Sequence, residues 1–214
     1  MELRSGRYLS AHPDLAVRRL EGIDNAITLM GYLLDPYRTG DDDRAILQRL
    51  LRHLEEGGTR ESLIHLTYPL AGRWILLVET RTGSWLFHDA LGHRQVFYTD
   101  GLHPLWCATQ PGILAEILGL AASPESARFY RRYRKRDPQY AWPGDTSPFP
   151  GVRRLQANHL LDLEARRIQR YWPTTDIVPR PLDEVVAENA HLLRGIIESA
   201  SHRFALSLGI TSGR

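Results

Sequence analysis

The sequence contains a single cysteine, Cys107, among 214 residues, and it has no long apolar run. One cysteine excludes an intramolecular disulfide framework and suits a reducing compartment. No apolar stretch approaches the about 20 residues that a helix needs to cross a bilayer, and the first residues lack the apolar core of a signal peptide. We therefore expect a cytoplasmic protein with no membrane partner.

Neither sign of charge dominates the sequence. It has 27 basic and 25 acidic side chains, a net charge of +2, and 43% hydrophobic residues, which is typical of folded globular proteins. One basic stretch, 128–136, alternates arginines with aromatic residues as some nucleic-acid-binding surfaces do. We favour a solvated helix face for it, because charge runs are usually exposed, and we expect no nucleic-acid partner.

The first half of the chain predicts short strands around one amphipathic helix. Segments 15–20 and 26–34 read as extended. The acidic run 41–43 then supplies an N-cap and first-turn charge for a helix that ends near 57–58. A second short helix is expected over 60–66. Four short strands with tight turns follow and predict an antiparallel sheet, over 73–80, 84–89, 95–99 and 104–109.

The second half predicts helices behind Pro111 and Pro124 and then a strand pair at 158–163 and 167–172. A proline-rich linker ends at 181, and a helix follows it, with His202-Arg203 suited to its carboxyl end. The run 204–210 is almost continuously apolar, which is typical of a strand covered on both faces of a parallel sheet.

The last four residues, Thr211, Ser212, Gly213 and Arg214, form a small-residue turn after that run. They resemble the first four positions of the nucleotide loop S/T-G-G-x-D-S of asparagine synthetases, with Ser212 in place of the first glycine. Small residues let backbone N–H groups approach a phosphate. Most such turns are ordinary strand exits, so this assignment depends on the motifs before it. The completing Asp and Ser would lie beyond Arg214, and we expect the protein to continue.

Three earlier segments resemble the amidotransferase half of the same family, in the family's order: 72–98, 108–116 and 149–173. The resemblance implies an α+β fold, an N-terminal-nucleophile-type α/β/β/α sandwich with antiparallel sheets, over residues 1–175. A linker at 176–181 would follow. Residues 182–214 would form the first helix and strand of an α/β ATP-pyrophosphatase domain. Ser207 and Thr211 to Arg214 would then be part of an ATP site.

The family's nucleophile is missing from this chain. Its members use a terminal cysteine whose own α-amine is the base, whereas Glu2 stands here, and we expect Cys107 to be a small buried apolar residue. The family's Asn-Gly pair appears as Met30-Gly31. Asp42 falls near the glutamine-binding aspartate, although a helix cap explains it equally well. Gly31 and Asp42 would thus mark a degenerate glutamine pocket, with no catalytic residue and no metal ligand in this chain.

The resemblance implies a parent protein that adenylates a small-molecule or peptide carboxylate with ATP and Mg²⁺ and then forms an amide. The amine would be ammonia or the substrate's own amine, as in β-lactam synthetase and lasso-peptide cyclase. The 214-residue chain would catalyse nothing alone, and a homodimer is compatible with this scheme. Two alternatives remain open, a non-enzymatic scaffold or binding module and a residual amidohydrolase with another nucleophile.

Overall fold

A computed structural model describes residues 1–4, 6–101, 104–134, 142–207 and 209. The chain divides into two compact units. The first contains 1–74, 78–81 and 175–214, and the second contains 75–77 and 82–174. The elements are β1 (Val17–Glu21), β2 (Ala26–Leu34), α1 (Asp43–Glu55), α2 (Arg60–Thr67), β3 (Ala71–Thr80), β4 (Gly83–His88), β5 (Phe97–Thr99), β6 (Cys107–Ala108), α3 (Pro111–Leu118), α4 (Pro124–Arg134), β7 (Val152–Arg154), β8 (His159–Asp162), β9 (Arg167–Arg170) and α5 (Leu182–Ser201).

The first unit is built on β2, which is buried along almost its whole length. It pairs antiparallel with β1, so that Val17 lies opposite Met30, and β3 follows it in the sheet order β1-β2-β3. Helix α1 packs against β1 and β2. Its i, i+3, i+4 apolar row is buried, and each leucine removed from water contributes about 1.5–3 kcal/mol. That row contains Ile46, Leu47, Leu50, Leu51 and Leu54.

The second unit contains the antiparallel strands β4, β8 and β9 in that order and a three-stranded antiparallel sheet in the order β6-β5-β7. The β8–β9 hairpin, with His159 opposite Arg170, confirms the predicted strand pair. Helix α3 closes a small core on the three-stranded sheet through Leu114, Phe97 and Val152. The observed fold is therefore mixed α+β with antiparallel sheets.

Two sequence predictions about strands are wrong. The four successive strands of the middle region do not share one sheet, because β5 lies between β6 and β7 after a turn at 89–96. Residues 204–207 are exposed and form no strand, and a strand buried on both faces would need neighbours that pair with it on each side. Residues 208 and 210 lie outside the described part of the chain.

Within the described residues, no helix combines the length and the apolar character that crossing a membrane requires.

Candidate functional site

Two neighbouring aspartates at the start of α1 have different environments. Asp42 is exposed and is the N-cap, where its Oδ1 accepts a hydrogen bond from the Ala45 N–H over 2.8 Å. Asp43 is only 2% exposed, and its Oδ1 accepts the Leu33 N–H over 2.8 Å. Because a buried carboxylate is costly unless it is paired, Asp43 needs cationic partners.

Two arginines supply the positive charge that the buried Asp43 carboxylate needs. Arg203, just beyond the end of α5, donates from Nη2 to Asp43 Oδ2 over 2.7 Å and from Nη1 to the Leu33 carbonyl. Arg18 of β1 donates from Nε to the same Oδ2 over 3.4 Å. We call these four residues, Asp43, Arg18, Leu33 and Arg203, the Asp43 node. One buried carboxylate thus joins β1, β2, α1 and the segment that follows α5.

Helix α5 approaches the β2–α1 connection closely enough to exclude a side chain. Gly195 is buried, and a Cβ there would overlap the Pro36 carbonyl oxygen. Two ring contacts flank this approach, His191 with Tyr37 at a centroid distance of 5.5 Å and Phe204 with Tyr32 at 5.1 Å. Helix α5 therefore packs against the β2–α1 connection through complementary shape as well as through charge.

His202 adds a polar contact at the carboxyl end of α5. Its Nδ1 lies 2.9 Å from the Thr39 carbonyl oxygen, next to the acidic run that begins α1. Together with Arg203, it gives the predicted carboxyl end of the helix specific partners more than 150 residues earlier in the chain.

A second ionic cluster orders the turn between β2 and α1. Asp35 is 4% exposed, and its Oδ1 accepts the Tyr37 N–H over 2.9 Å. Arg49 donates from Nη1 to Asp41 over 2.6 Å and from Nη2 to Asp35. Asp35 and Asp41, which lie close to the predicted glutamine-pocket residues in sequence, therefore stabilise the backbone of this turn and the start of α1.

The predicted glutamine-pocket residues lie in the two segments that the Asp43 node joins. Gly31 is buried in β2 with a φ of 115°, and its N–H donates to the Ala16 carbonyl over 2.8 Å. Leu33 follows it by two residues, and Asp42 precedes Asp43 directly. Since Asp42 caps α1, its carboxylate is already engaged in a structural hydrogen bond.

Of the predicted nucleotide-loop residues, the structure describes only Ser207, which is exposed and in irregular backbone. Thr211, Ser212, Gly213 and Arg214 lie outside the described residues.

The expected burial of Cys107 is wrong, because its side chain is exposed. It belongs to β6, which has two residues and is the edge strand of its sheet. At the amino terminus, the Met1 amine donates to the Leu9 carbonyl over 3.0 Å.

Among the described residues, no group of three His, Cys, Asp or Glu side chains could hold a metal ion.

Asp89 and Gly92, which belong to the amidotransferase-like motif, form a turn. Asp89 is 4% exposed, and its two oxygens accept the N–H groups of His93 and Arg94 over 2.9 and 3.0 Å. Gly92 has a φ of 64°, a conformation that favours glycine. These contacts give the turn between β4 and β5 a fixed shape.

The sequence did not reveal the Asp43 node. By local pattern, Arg203 is a favourable charge at a helix end, and the three aspartates form one helix cap with its first-turn charge. The sequence signal for the Asp43 node is the run of three adjacent aspartates at 41–43, because only one of them can be the N-cap of α1. The partner, however, is 160 residues away, beyond any local pattern.

No family model matches this chain, and no curated protein matches its sequence.

Proposed function

We propose that this chain is the amino-terminal part of an asparagine-synthetase-like, ATP-dependent amide-forming ligase whose glutaminase activity has been lost. The amidotransferase-type sandwich over 1–175 would act as a scaffold. Residues 182–214 would begin the ATP-pyrophosphatase domain. The observation that carries the proposal is the attachment of α5 and Arg203 to β2 and α1 through Gly195 and the Asp43 node.

The attachment supports the proposal because of where it falls in the chain. In the resembled family, the equivalent helix and the strand after it lead into the nucleotide loop. Here Arg203 holds the point eight residues before Thr211 to a buried carboxylate of α1. A helix with no structural role would need neither a glycine where it approaches Pro36 nor an ion pair with a buried carboxylate at its end.

Loss of glutamine hydrolysis is supported by the engagement of a predicted pocket residue. Asp42 is occupied by the α1 cap. The amine would therefore be free ammonia or a group of the substrate itself.

ATP with Mg²⁺ would activate a carboxylate in the full-length protein. The loop 211–214, with Ser207 before it, would be the part of this chain that contributes to nucleotide binding. The carboxylate could belong to a small molecule or a peptide.

ATP–pyrophosphate exchange by the full-length gene product tests the proposal, with a panel of candidate carboxylates. We expect carboxylate-dependent exchange that Arg203→Ala reduces, because that change releases the segment before the loop. Arg194→Ala is the matched control, since Arg194 is an exposed arginine of α5, nine residues before Arg203, and it should leave exchange unchanged. Absence of exchange with every carboxylate would reject the ligase.

The alternative is a non-enzymatic scaffold or binding module of the same fold. Residues 204–207, which are exposed and form no strand, are compatible with either function, because a strand forms only beside neighbours that pair with it. The residues that follow Arg214 discriminate the two functions. Asp-Ser there would favour the ligase, and any other pair would favour the scaffold.

A further inference from the structure

The outer side of α5 is a row of large aliphatic side chains that are open to solvent. Four of them are between 58% and 75% exposed. With about 100° of rotation per residue, the four fall within an arc of about 60° around the helix. We call this row the α5 stripe, and its members are Leu182, Val186, Leu193 and Ile197.

The α5 stripe lies opposite the side of the helix that packs against the β2–α1 connection. Gly195, which approaches the Pro36 carbonyl, is two residues from both Leu193 and Ile197, so about 200° of rotation separates it from each. Ser199, which is fully buried, likewise lies two residues after Ile197. The contacts of α5 with the β2–α1 connection therefore leave the stripe exposed, and contiguous exposed apolar surface is typical of an interaction site.

The spacing of the α5 stripe is the same in both directions along the helix. Its intervals are 4, 7 and 4 residues. When two copies of α5 lie antiparallel, with a two-fold axis between positions 189 and 190, Leu182 faces Ile197 of the second copy. Val186 then faces Leu193 of the second copy. Each pair occurs twice, as an interface between identical surfaces requires.

Charged residues beside the stripe fit the same antiparallel arrangement. Asp183 and Arg194 are both exposed and lie on one flank of the stripe, about 20° apart around the helix. Position 196 of the second copy lies opposite Asp183, so Arg194 of that copy is displaced by only about 3 Å along the axis. The two-fold axis repeats this pair of opposite charges. A parallel arrangement would instead set Asp183 level with its own copy and align the two helix dipoles unfavourably.

We propose that the α5 stripe is the interface of a homodimer in which two copies of α5 pack antiparallel. The symmetric spacing and the reciprocal charges favour a second copy, because an unrelated partner would require neither. Burial of the aliphatic side chains supplies the affinity, whereas the charge pairs at the rim set the direction of packing and contribute little affinity. The proposal goes beyond the ligase and the scaffold and requires neither, because it involves only the outer side of α5.

Sedimentation equilibrium of the 214-residue chain at a series of micromolar concentrations tests whether it dimerises. We expect a reversible monomer–dimer equilibrium, which Leu193→Glu weakens at least about tenfold because a charge would be buried at the interface. The matched control is Ile117→Glu, since Ile117 is an exposed aliphatic residue of another helix, α3. It should change the dissociation constant less than twofold.

Disulfide cross-linking tests the direction of packing. The native thiol is first removed by Cys107→Ser, and Val186→Cys and Leu193→Cys are then prepared separately in that background. We expect a disulfide-linked dimer when the two variants are mixed and oxidised. Neither variant alone should form one, because two copies of position 193 would be about 10 Å apart along the axis, too far for a disulfide.

The proposal is overturned if the unchanged chain stays monomeric, if Leu193→Glu dimerises as well as the unchanged chain, or if the two glutamate variants lose equal affinity. Linked dimers from one cysteine variant alone would also overturn it, in favour of a parallel pair. A monomeric full-length gene product would assign the stripe to the rest of the longer protein. Circular dichroism melting curves establish that the variants are folded. These assays contain no ATP, so their failure is distinguishable from failure of the exchange experiment.

Discussion

Arg203 and Asp43 form a hydrogen-bonded ion pair of 2.7 Å across 160 residues of sequence. Their side chains are 17% and 3% exposed, so water screens the pair weakly. The pair fixes the segment after α5 to the first turn of α1. It attaches the described end of the chain to the β2–α1 region.

Replacement of Asp43 should be far more costly than replacement of its neighbour. Asp43→Ala leaves Arg203 without its carboxylate and removes an acceptor from the Leu33 N–H. We expect a loss of about 3–5 kcal/mol in the free energy of unfolding, the usual cost of breaking a buried pair. Asp42→Ala removes only an exposed N-cap and should cost about 1 kcal/mol.

Urea unfolding followed by circular dichroism measures both changes. Equal losses for the two aspartates would contradict the burial and pairing described for Asp43. Hydrogen exchange over 196–203 should also accelerate in Asp43→Ala and remain unchanged in Asp42→Ala, because only the first releases the end of α5.

Gly195→Ala should detach α5 locally even though alanine favours helices. Alanine normally stabilises a helix interior by about 0.5–1 kcal/mol over glycine. At Gly195, however, the added Cβ would overlap the Pro36 carbonyl oxygen, so we expect a net loss of about 1–3 kcal/mol. Gly112→Ala in α3 is the control, because nothing lies within 4 Å of a Cβ there.

Thermal or urea unfolding of the two glycine variants measures the change in stability that each substitution causes. We expect Gly195→Ala to destabilise the protein and Gly112→Ala to cause no loss of stability. Stabilisation by Gly195→Ala would mean that α5 is free to move away from Pro36 without cost.

Tyr98 should make the protein sensitive to alkali. Burial, with smaller effects of the Asp100 and Asp145 charges, raises the pKa of Tyr98 to about 12, from an ordinary value of 10.0. A group whose folded-state pKa is raised contributes stability that is complete below pH 10 and is lost as the pH rises towards 12. Tyr98→Phe should remove this part of the alkaline loss.

Absorbance of tyrosinate near 295 nm during a pH titration follows the ionisation. The late absorbance change should be smaller by one tyrosine in Tyr98→Phe, and a smaller late contribution should remain because burial also raises the pKa of Tyr68. Tyr8→Phe is the control, since Tyr8 is 77% exposed, and it should leave the late step unchanged. An unchanged late step in Tyr98→Phe would assign it to another residue.

Local patterns predicted the elements that depend on local chemistry. The acidic cap and the apolar row of α1, the limits of β2 and the β8–β9 hairpin could be read from periodicity and turn residues. Each of these signals lies within about ten residues, so no tertiary information was needed.

The remaining features depend on partners distant in sequence. The exposure of Cys107 follows from the position of β6 at a sheet edge, which its own sequence does not specify. The apolar run that begins at Phe204 has strand character by composition, but residues 204–207 pair with no strand. The Asp43 node is likewise tertiary, because Arg203 and Asp43 are 160 residues apart in sequence.

Amide formation by the full-length protein, followed with isotopically labelled nitrogen, tests the central claim most directly. The reaction would contain ATP, Mg²⁺ and a carboxylate selected by the exchange assay, with either ¹⁵N-ammonium or amide-labelled glutamine. We predict carboxylate-dependent AMP formation, with no label from glutamine in the product whether the amine is ammonium or belongs to the substrate. Label transferred from glutamine, or AMP formation no faster than without carboxylate, would contradict an amide-forming ligase that lacks glutaminase activity.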